Sequence, residues 1–139
     1  MDVMQIANGL PMWIACGIPV VFVMIQAIFF ARGAYSAGKK VGLADEKMKK
    51  AMKSSAVTSI GPSIVVLSGM LSLLVTVGGP VGWMRLSMIG SVMFESIAAG
   101  LGTASVGVQL GADTLTPLAL DMAVWTMILG SIGWIIFAT

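Results

Sequence analysis

The sequence predicts an all-α membrane protein with about four transmembrane helices, and three observations support this prediction. First, 58% of the 139 residues are hydrophobic and only 10% are charged, whereas soluble domains carry about 25% charged residues. A soluble fold of this size needs more polar surface than this. Second, seven of the eight basic residues lie in one segment. Third, four apolar stretches are long enough to span a bilayer, and they form a single predicted transmembrane domain over 1–139: 11–31, 55–78, 81–105 and 117–138.

The first predicted span, 11–31, is 21 residues long and has no formal charge. As a helix it extends about 31 Å, which matches the hydrocarbon thickness of a bilayer. Trp13 near its start and Arg32 just after its end are residue types that anchor a helix at the two membrane interfaces.

The segment 32–54 between the first two spans is basic. It has seven Lys or Arg residues against Asp45 and Glu46, a net charge of +5. A short basic loop stays in the cytoplasm, so the N-terminus is expected outside. Anionic lipids are the expected partner of this loop. Nucleic acid is not expected, because the segment lacks interleaved aromatic residues and lies between two spans.

The second span, 55–78, contains a proline near its start. Pro62 has no N–H, so the carbonyl of Thr58 loses its usual helical partner. We favour an ordinary kink, in which nearby hydroxyls hydrogen-bond to the backbone groups that the proline leaves without a partner. The alternative is a discontinuous helix whose free carbonyls and hydroxyls line an ion or substrate site. That site would comprise Thr58, Ser59, Gly61, Pro62 and Ser63.

The third span, 81–105, carries two charges. Arg85 follows Trp83 at the outer end, where its long side chain is expected to reach headgroups or water. Glu95 lies about 15 Å deeper, near the middle of the bilayer. The two residues are about 280° apart around one straight helix, so they are not expected to pair within it. Ser91 shares the small, weakly polar face of Glu95.

The connection after the third span leaves the topology open. The Gly-rich stretch 79–111 either crosses the membrane or forms a re-entrant pair, and no charge asymmetry after Lys53 decides between these. Thr116 and Pro117 suit the N-cap and first position of the fourth span, 117–138. Four crossings place both termini outside, whereas a re-entrant pair places the C-terminus inside.

Three segments of the chain together resemble a known family. They are the opening ANGLPMWIACGIPVVFVMIQAIFFARGAYSAGKKVGL, the run SIGPSIVVLSGMLSLL and the segment GPVGWMRLSMIGSVMFESIAAG. The chain resembles small bacterial integral membrane proteins, mainly from Gram-positive bacteria, that are catalogued as domain of unknown function five-zero-five-eight. The resemblance implies a bacterial cytoplasmic-membrane location and no assigned activity. It also implies that the chain corresponds to the N-terminal part of longer members, so that several chains or a partner would complete a transport fold.

The residue inventory argues against an enzyme. The chain has no His, which excludes a Ser-His-Asp triad and His-ligated metals. Cys16 is the single cysteine and lies in an apolar run. The chain has no metal-ligand spacing and no phosphate-binding loop, so we expect no cofactor, no metal and no catalytic residue.

A small multi-pass transporter or channel subunit is the function that the sequence favours. Glu95 would take and release a proton or cation, with Arg85, Ser91 and the residues around Pro62 as further ligands. Four helices enclose little space, so a homo-oligomer or a complex with another membrane protein is expected. The alternative is a non-transporting structural or accessory subunit of a larger complex, with Glu95 as a polar clamp.

Overall fold

The computed structural model describes residues 3–111 and 113–137, and within these residues it contains helices and no strand. This confirms the all-α prediction. The helices are α1 (Val3–Ala7), α2 (Leu10–Lys40), α3 (Asp45–Thr58), α4 (Ile60–Val77), α5 (Gly79–Met88), α6 (Val92–Ala104) and α7 (Pro117–Phe137).

Among the residues that the structure describes, two helical segments are long and apolar enough to cross a membrane. One is α2, with 31 residues, and the other is the 33-residue segment Asp45–Val77 that joins α3 and α4. Ser59 interrupts this second segment. Pro62 then lies in the first turn of α4, where backbone N–H groups have no partner within the helix. The boundary between α3 and α4 therefore falls at Ser59, three residues before the proline.

The stretch 81–105 is not the single helix that the sequence predicted. It divides between α5 and α6, because Gly90 adopts a left-handed φ of +70° that other residues rarely accept. Ser91 is extended and caps the N-terminus of α6 by accepting a hydrogen bond from the Phe94 N–H at 3.3 Å. A left-handed glycine followed by an N-cap ends one helix and starts another.

The chain reverses direction at this break. Helix α6 runs antiparallel to α7, since Phe94 packs against Gly130 at one end and Gly102 against Ala123 at the other. Helix α5 runs in the same direction as α7, since Val81 lines a cavity with the first turns of α7 and Arg85, further along α5, reaches Met127 further along α7. Helices α5 and α6 thus form a hairpin, called here the α5–α6 hairpin (Gly79–Ala104).

The tip of the α5–α6 hairpin lies beside α4. Gly90 lines a groove with Val66 and Leu67, and Val92 packs directly on Gly69. The open end of the hairpin lies beside the junction of α4 and α5, where Gly82 packs on Leu73. The hairpin therefore extends from the end of α4 to about its middle.

The N-terminal segment packs on that same open end. The Gly79 N–H donates to Asn8 Oδ1 at 2.9 Å, and Ala7 is fully buried against Gly78. Trp13 and Trp83 meet edge to face, with ring centroids 6.1 Å apart. The expectation that the two tryptophans lie at one end of the bundle agrees with this contact.

Helices α6 and α7 pack closely against each other in the core. The buried residues of this contact are mostly small: Ala98, Ala99, Gly102, Thr103, Ala119 and Ala123. A methyl group added at Gly102 would lie 2.6 Å from the Ala123 Cα. Small residues allow two helix backbones to approach this closely.

We expect Gly102→Ala to separate α6 from α7 and to destabilise the protein by roughly 1–3 kcal/mol, the usual cost of overpacking against backbone. Gly100→Ala is the matched control, because no atom lies within 4 Å of its added methyl. The measurement is the thermal unfolding midpoint of the detergent-solubilised protein. Equal midpoints for the two variants would contradict this packing.

Candidate functional site

The two charged residues of the α5–α6 hairpin form an ion pair inside the protein. Arg85 Nε donates to Glu95 Oε2 at 3.1 Å, and Arg85 Nη2 lies 3.0 Å from Glu95 Oε1. Arg85 is 5% exposed and Glu95 is fully buried. The guanidinium thus faces both carboxylate oxygens, a pairing that arginine makes more readily than lysine.

The ion pair joins the two helix ends that meet at the hairpin tip. Arg85 lies in the last turn of α5 and Glu95 in the first turn of α6. A helix carries partial negative charge at its C-terminus and partial positive charge at its N-terminus. Each side chain therefore also complements the dipole of its own helix, which favours the ionised pair at this position.

Helix α7 supplies two further hydrogen-bond partners for Arg85. Nη2 donates to the Met127 carbonyl at 2.7 Å and approaches the Ser131 Oγ at 3.5 Å. Ser131 itself donates to the Ile128 carbonyl at 2.7 Å, so its oxygen is oriented by its own helix. Arg85 consequently ties both α5 and α6 to the middle of α7.

One carboxylate oxygen is less well satisfied than the other. Glu95 Oε1 is buried without a hydrogen bond, although it lies within ion-pair distance of Arg85 Nη2. A short contact with poor angular geometry provides charge attraction but no full hydrogen bond. This oxygen is the point of the pair at which a proton or a cation would add a bond.

The position of Arg85 corrects two expectations from the sequence. Its side chain does not extend to an outer surface but is buried beneath α7. It also pairs with Glu95 of the same chain, which the 280° separation on a straight helix had argued against. The reason is the chain reversal at Gly90, which folds α6 back so that residues ten positions apart face each other.

Ser91, predicted as a ligand, has a structural role in this structure. Its hydroxyl caps α6, and this cap begins the helix that positions Glu95. Ser91 directly follows Gly90, which lines the groove beside α4.

The predicted site residues around Pro62 form a second group. The hydroxyls of Thr58, Ser59 and Ser63 each donate to the carbonyl four residues earlier, at 2.7–2.8 Å. The side chains thus back-bond to their own helix, as in an ordinary kink. Gly61 faces open space, with no atom within 4 Å of an added methyl.

An open groove lies between the start of α4 and the tip of the α5–α6 hairpin. Thr58, Ser59, Pro62 and Ser63 line it with Val66, Leu67, Leu86 and Gly90, and its volume is about 610 Å³. Leu86 and Gly90 are the neighbours in sequence of Arg85 and Ser91. The groove therefore extends from the start of α4 to Gly90 at the hairpin tip, whereas the buried Arg85 and Glu95 do not line it.

Sequence reasoning missed Gly90, Met127 and Ser131. The Gly90-Ser91 pair is a turn and N-cap signal that could have identified the break. Met127 contributes only its carbonyl, which no side-chain pattern reveals. Among the described residues no three His, Cys, Asp or Glu side chains come together to hold a metal ion.

Comparison with known proteins identifies a family. The family model described as Domain of unknown function (DUF5058) matches residues 8–139, essentially the whole chain. No curated protein and no solved structure matches the chain.

We expect Arg85→Gln and Glu95→Gln each to destabilise the protein by roughly 3–5 kcal/mol, because each leaves one buried charge without its partner. The double variant should recover most of this loss, since two amides can hydrogen-bond to each other. Unfolding midpoints of all four proteins give the coupling free energy. Additive effects of the two substitutions would show that the pair does not hold the hairpin.

Proposed function

We propose that this chain, which belongs to the DUF5058 family, is a subunit of a multi-pass transporter or channel of the bacterial cytoplasmic membrane. The observation that carries the proposal is a hairpin of two short helices with a buried ion pair at its tip. The transported species is a small solute or an ion, coupled to a proton or cation through Glu95.

The helix lengths support three crossings and one re-entrant hairpin rather than four crossings. The crossings are α2, the α3–α4 segment and α7, whose 21 residues extend about 31 Å. Helix α5 has only 10 residues, about 15 Å, or half the hydrocarbon thickness. With the basic loop inside, the hairpin enters from outside and α7 ends inside.

A hairpin of this kind favours transport. Irregular backbone within the membrane is tolerated only where protein buries it or where it lines a water-filled cavity. Discontinuous helices with facing ends form ion and substrate sites in many transporters. The groove beside Ser63 supplies a route to the hairpin tip from the cytoplasmic half of α4. A proton or cation bound at Glu95 Oε1 would weaken the ion pair between Glu95 and Arg85. The hairpin tip would then become more mobile.

The exposed surface supports an assembly of several subunits. Helix α2 exposes large apolar side chains along its length, among them Ile14, Ile18, Phe22 and Phe29. The groove is open along one side, so a second copy or another membrane protein would be needed to close a pathway around it. Lipid would cover the remaining apolar surface.

The second candidate function is a non-transporting structural subunit. Its support is the double role of Arg85 and Glu95, which neutralise each other and the two helix ends. A pair with these contacts suits a permanent clamp. The two functions differ in whether the groove holds water and carries flux.

The proposed topology predicts that positions 40 and 109 lie on opposite sides of the membrane. We expect Gln109→Cys, in a Cys16→Ser background, to react with a membrane-impermeant maleimide added to intact cells. Lys40→Cys should react only after permeabilisation. Labelling of both positions only after permeabilisation would support four crossings instead.

The proposed pathway predicts that reconstituted vesicles conduct protons or small cations and that the Arg85→Gln/Glu95→Gln protein does not, although it remains folded. Ser63→Cys in the groove should make the flux sensitive to a charged methanethiosulfonate. Ile64→Cys is the matched control, because Ile64 is exposed on the same helix but lies outside the groove. The measurement is vesicle flux of H⁺, Na⁺ and K⁺ with internal indicator dyes. An intact wild-type protein that conducts none of these ions would favour the structural subunit.

A further inference from the structure

Helices α2 and α3 form a second hairpin, at the opposite end of the bundle from Trp13 and Trp83. The two helices touch near their connection, where a methyl at Gly38 would lie 2.6 Å from Met48 Sδ. They share few contacts elsewhere. The helices therefore leave a cleft that opens toward the apolar part of α2.

One side of this cleft is apolar. Ala31, Ala34 and Tyr35 of α2 line it together with Met48, Ala51 and Met52 of α3, and its volume is about 240 Å³. This surface has no charged side chain. An acyl chain is the natural occupant of an apolar cleft that opens toward the hydrocarbon core.

The adjoining pocket is basic. Arg32, Ser36 and Lys39 line it, and it shares Ala31, Tyr35 and Met52 with the apolar cleft. Its volume of about 350 Å³ lies at the lower end of ligand sites. An apolar cleft and a basic pocket thus share one wall.

Local contacts orient the lysine of this pocket. Lys39 Nζ lies 5.2 Å from the Tyr35 ring centroid and 3.6 Å from Asp45 Oδ1. The Tyr35 hydroxyl donates to the same Asp45 oxygen at 3.2 Å. Asp45 is the acidic group beside the pocket, and the pocket's two cations exceed its charge. Arg32 and Lys39 therefore leave net positive charge for an anion.

The depth of the pocket fits a lipid headgroup. Arg32 is the first charged residue after 22 uncharged residues of α2, which extend about 33 Å. Hydrocarbon thickness is about 30 Å, so Arg32 lies at the inner headgroup level. Anionic lipids attract basic residues at this level.

We propose that the α2–α3 hairpin binds one anionic phospholipid of the inner leaflet. Its phosphate lies between Arg32 and Lys39 at the headgroup level, and one acyl chain runs along the cleft from Ala34 past Ala31 into the hydrocarbon core. This inference rests on the proposed membrane location but not on transport. Since the apolar cleft adjoins the basic pocket, the ligand is a membrane lipid rather than a free phosphate.

The test is native mass spectrometry of the detergent-solubilised protein, titrated with equal amounts of phosphatidylglycerol and phosphatidylcholine. We expect the wild-type protein to retain one phosphatidylglycerol and the Arg32→Gln/Lys39→Gln protein to bind it about thirtyfold more weakly. Lys40→Gln/Lys50→Gln is the matched control, because it removes the same charge from residues outside the pocket. If the two double variants lost phosphatidylglycerol equally, the lipid would be attracted by the overall charge of the loop, and the proposed site would be overturned.

A second pair of variants tests the acyl chain. Ala34→Phe fills the cleft and should weaken phosphatidylglycerol retention with all charges intact, whereas Gly33→Phe, outside the cleft, should not. Full retention in Ala34→Phe, or equal retention of phosphatidylcholine by the wild type, would also overturn the proposal. Arg32→Gln alone serves if the double variant does not fold. None of these outcomes depends on ion flux, so a failure here leaves the transport proposal untouched.

Discussion

The contact between Arg85 and Glu95 connects three helices through one pair of charges. Removing two charges from water carries a penalty that is repaid only with good geometry and additional bonds. Here three interactions offset this penalty: the direct ion pair, the hydrogen bond to the Met127 carbonyl, and the favourable dipoles at the ends of α5 and α6. The ion pair and the bond to Met127 therefore hold α5, α6 and α7 together at the hairpin tip.

The backbone around this pair depends on residues that allow close approach. Gly90 permits the reversal, Gly69 accepts Val92 from the hairpin tip, and Gly102 brings α6 against α7. These three glycines place the tip beside the middle of α4 and Glu95 beneath α7. A side chain at Gly69 would meet Val92, and one at Gly102 would meet the backbone of α7, so these glycines allow the packing that surrounds the ion pair.

The proposed functions divide between the two ends of the bundle. The α5–α6 hairpin holds the buried charges and faces a groove from the hydroxyl-rich start of α4. The α2–α3 hairpin holds the basic residues and an apolar cleft. Helix α2 contributes to both ends, since Trp13 contacts Trp83 and Arg32 lies beside Tyr35. A lipid bound at one end would therefore contact the helix that packs against the hairpin.

The sequence by itself determined the helical class, the apolar segments and the basic loop, because composition and periodicity depend on local residue types, and the resemblance of three segments identified the family. It also identified Glu95 and Arg85 as unusual, since charges are costly in apolar surroundings. Their pairing was decided by the tertiary structure. Angular spacing assumes a continuous helix, and the left-handed Gly90 followed by the Ser91 cap replaced that helix with two antiparallel ones. The contact of Arg85 with Met127 and the groove between the start of α4 and the hairpin tip join residues far apart in the chain, so only the packing of the helices established them.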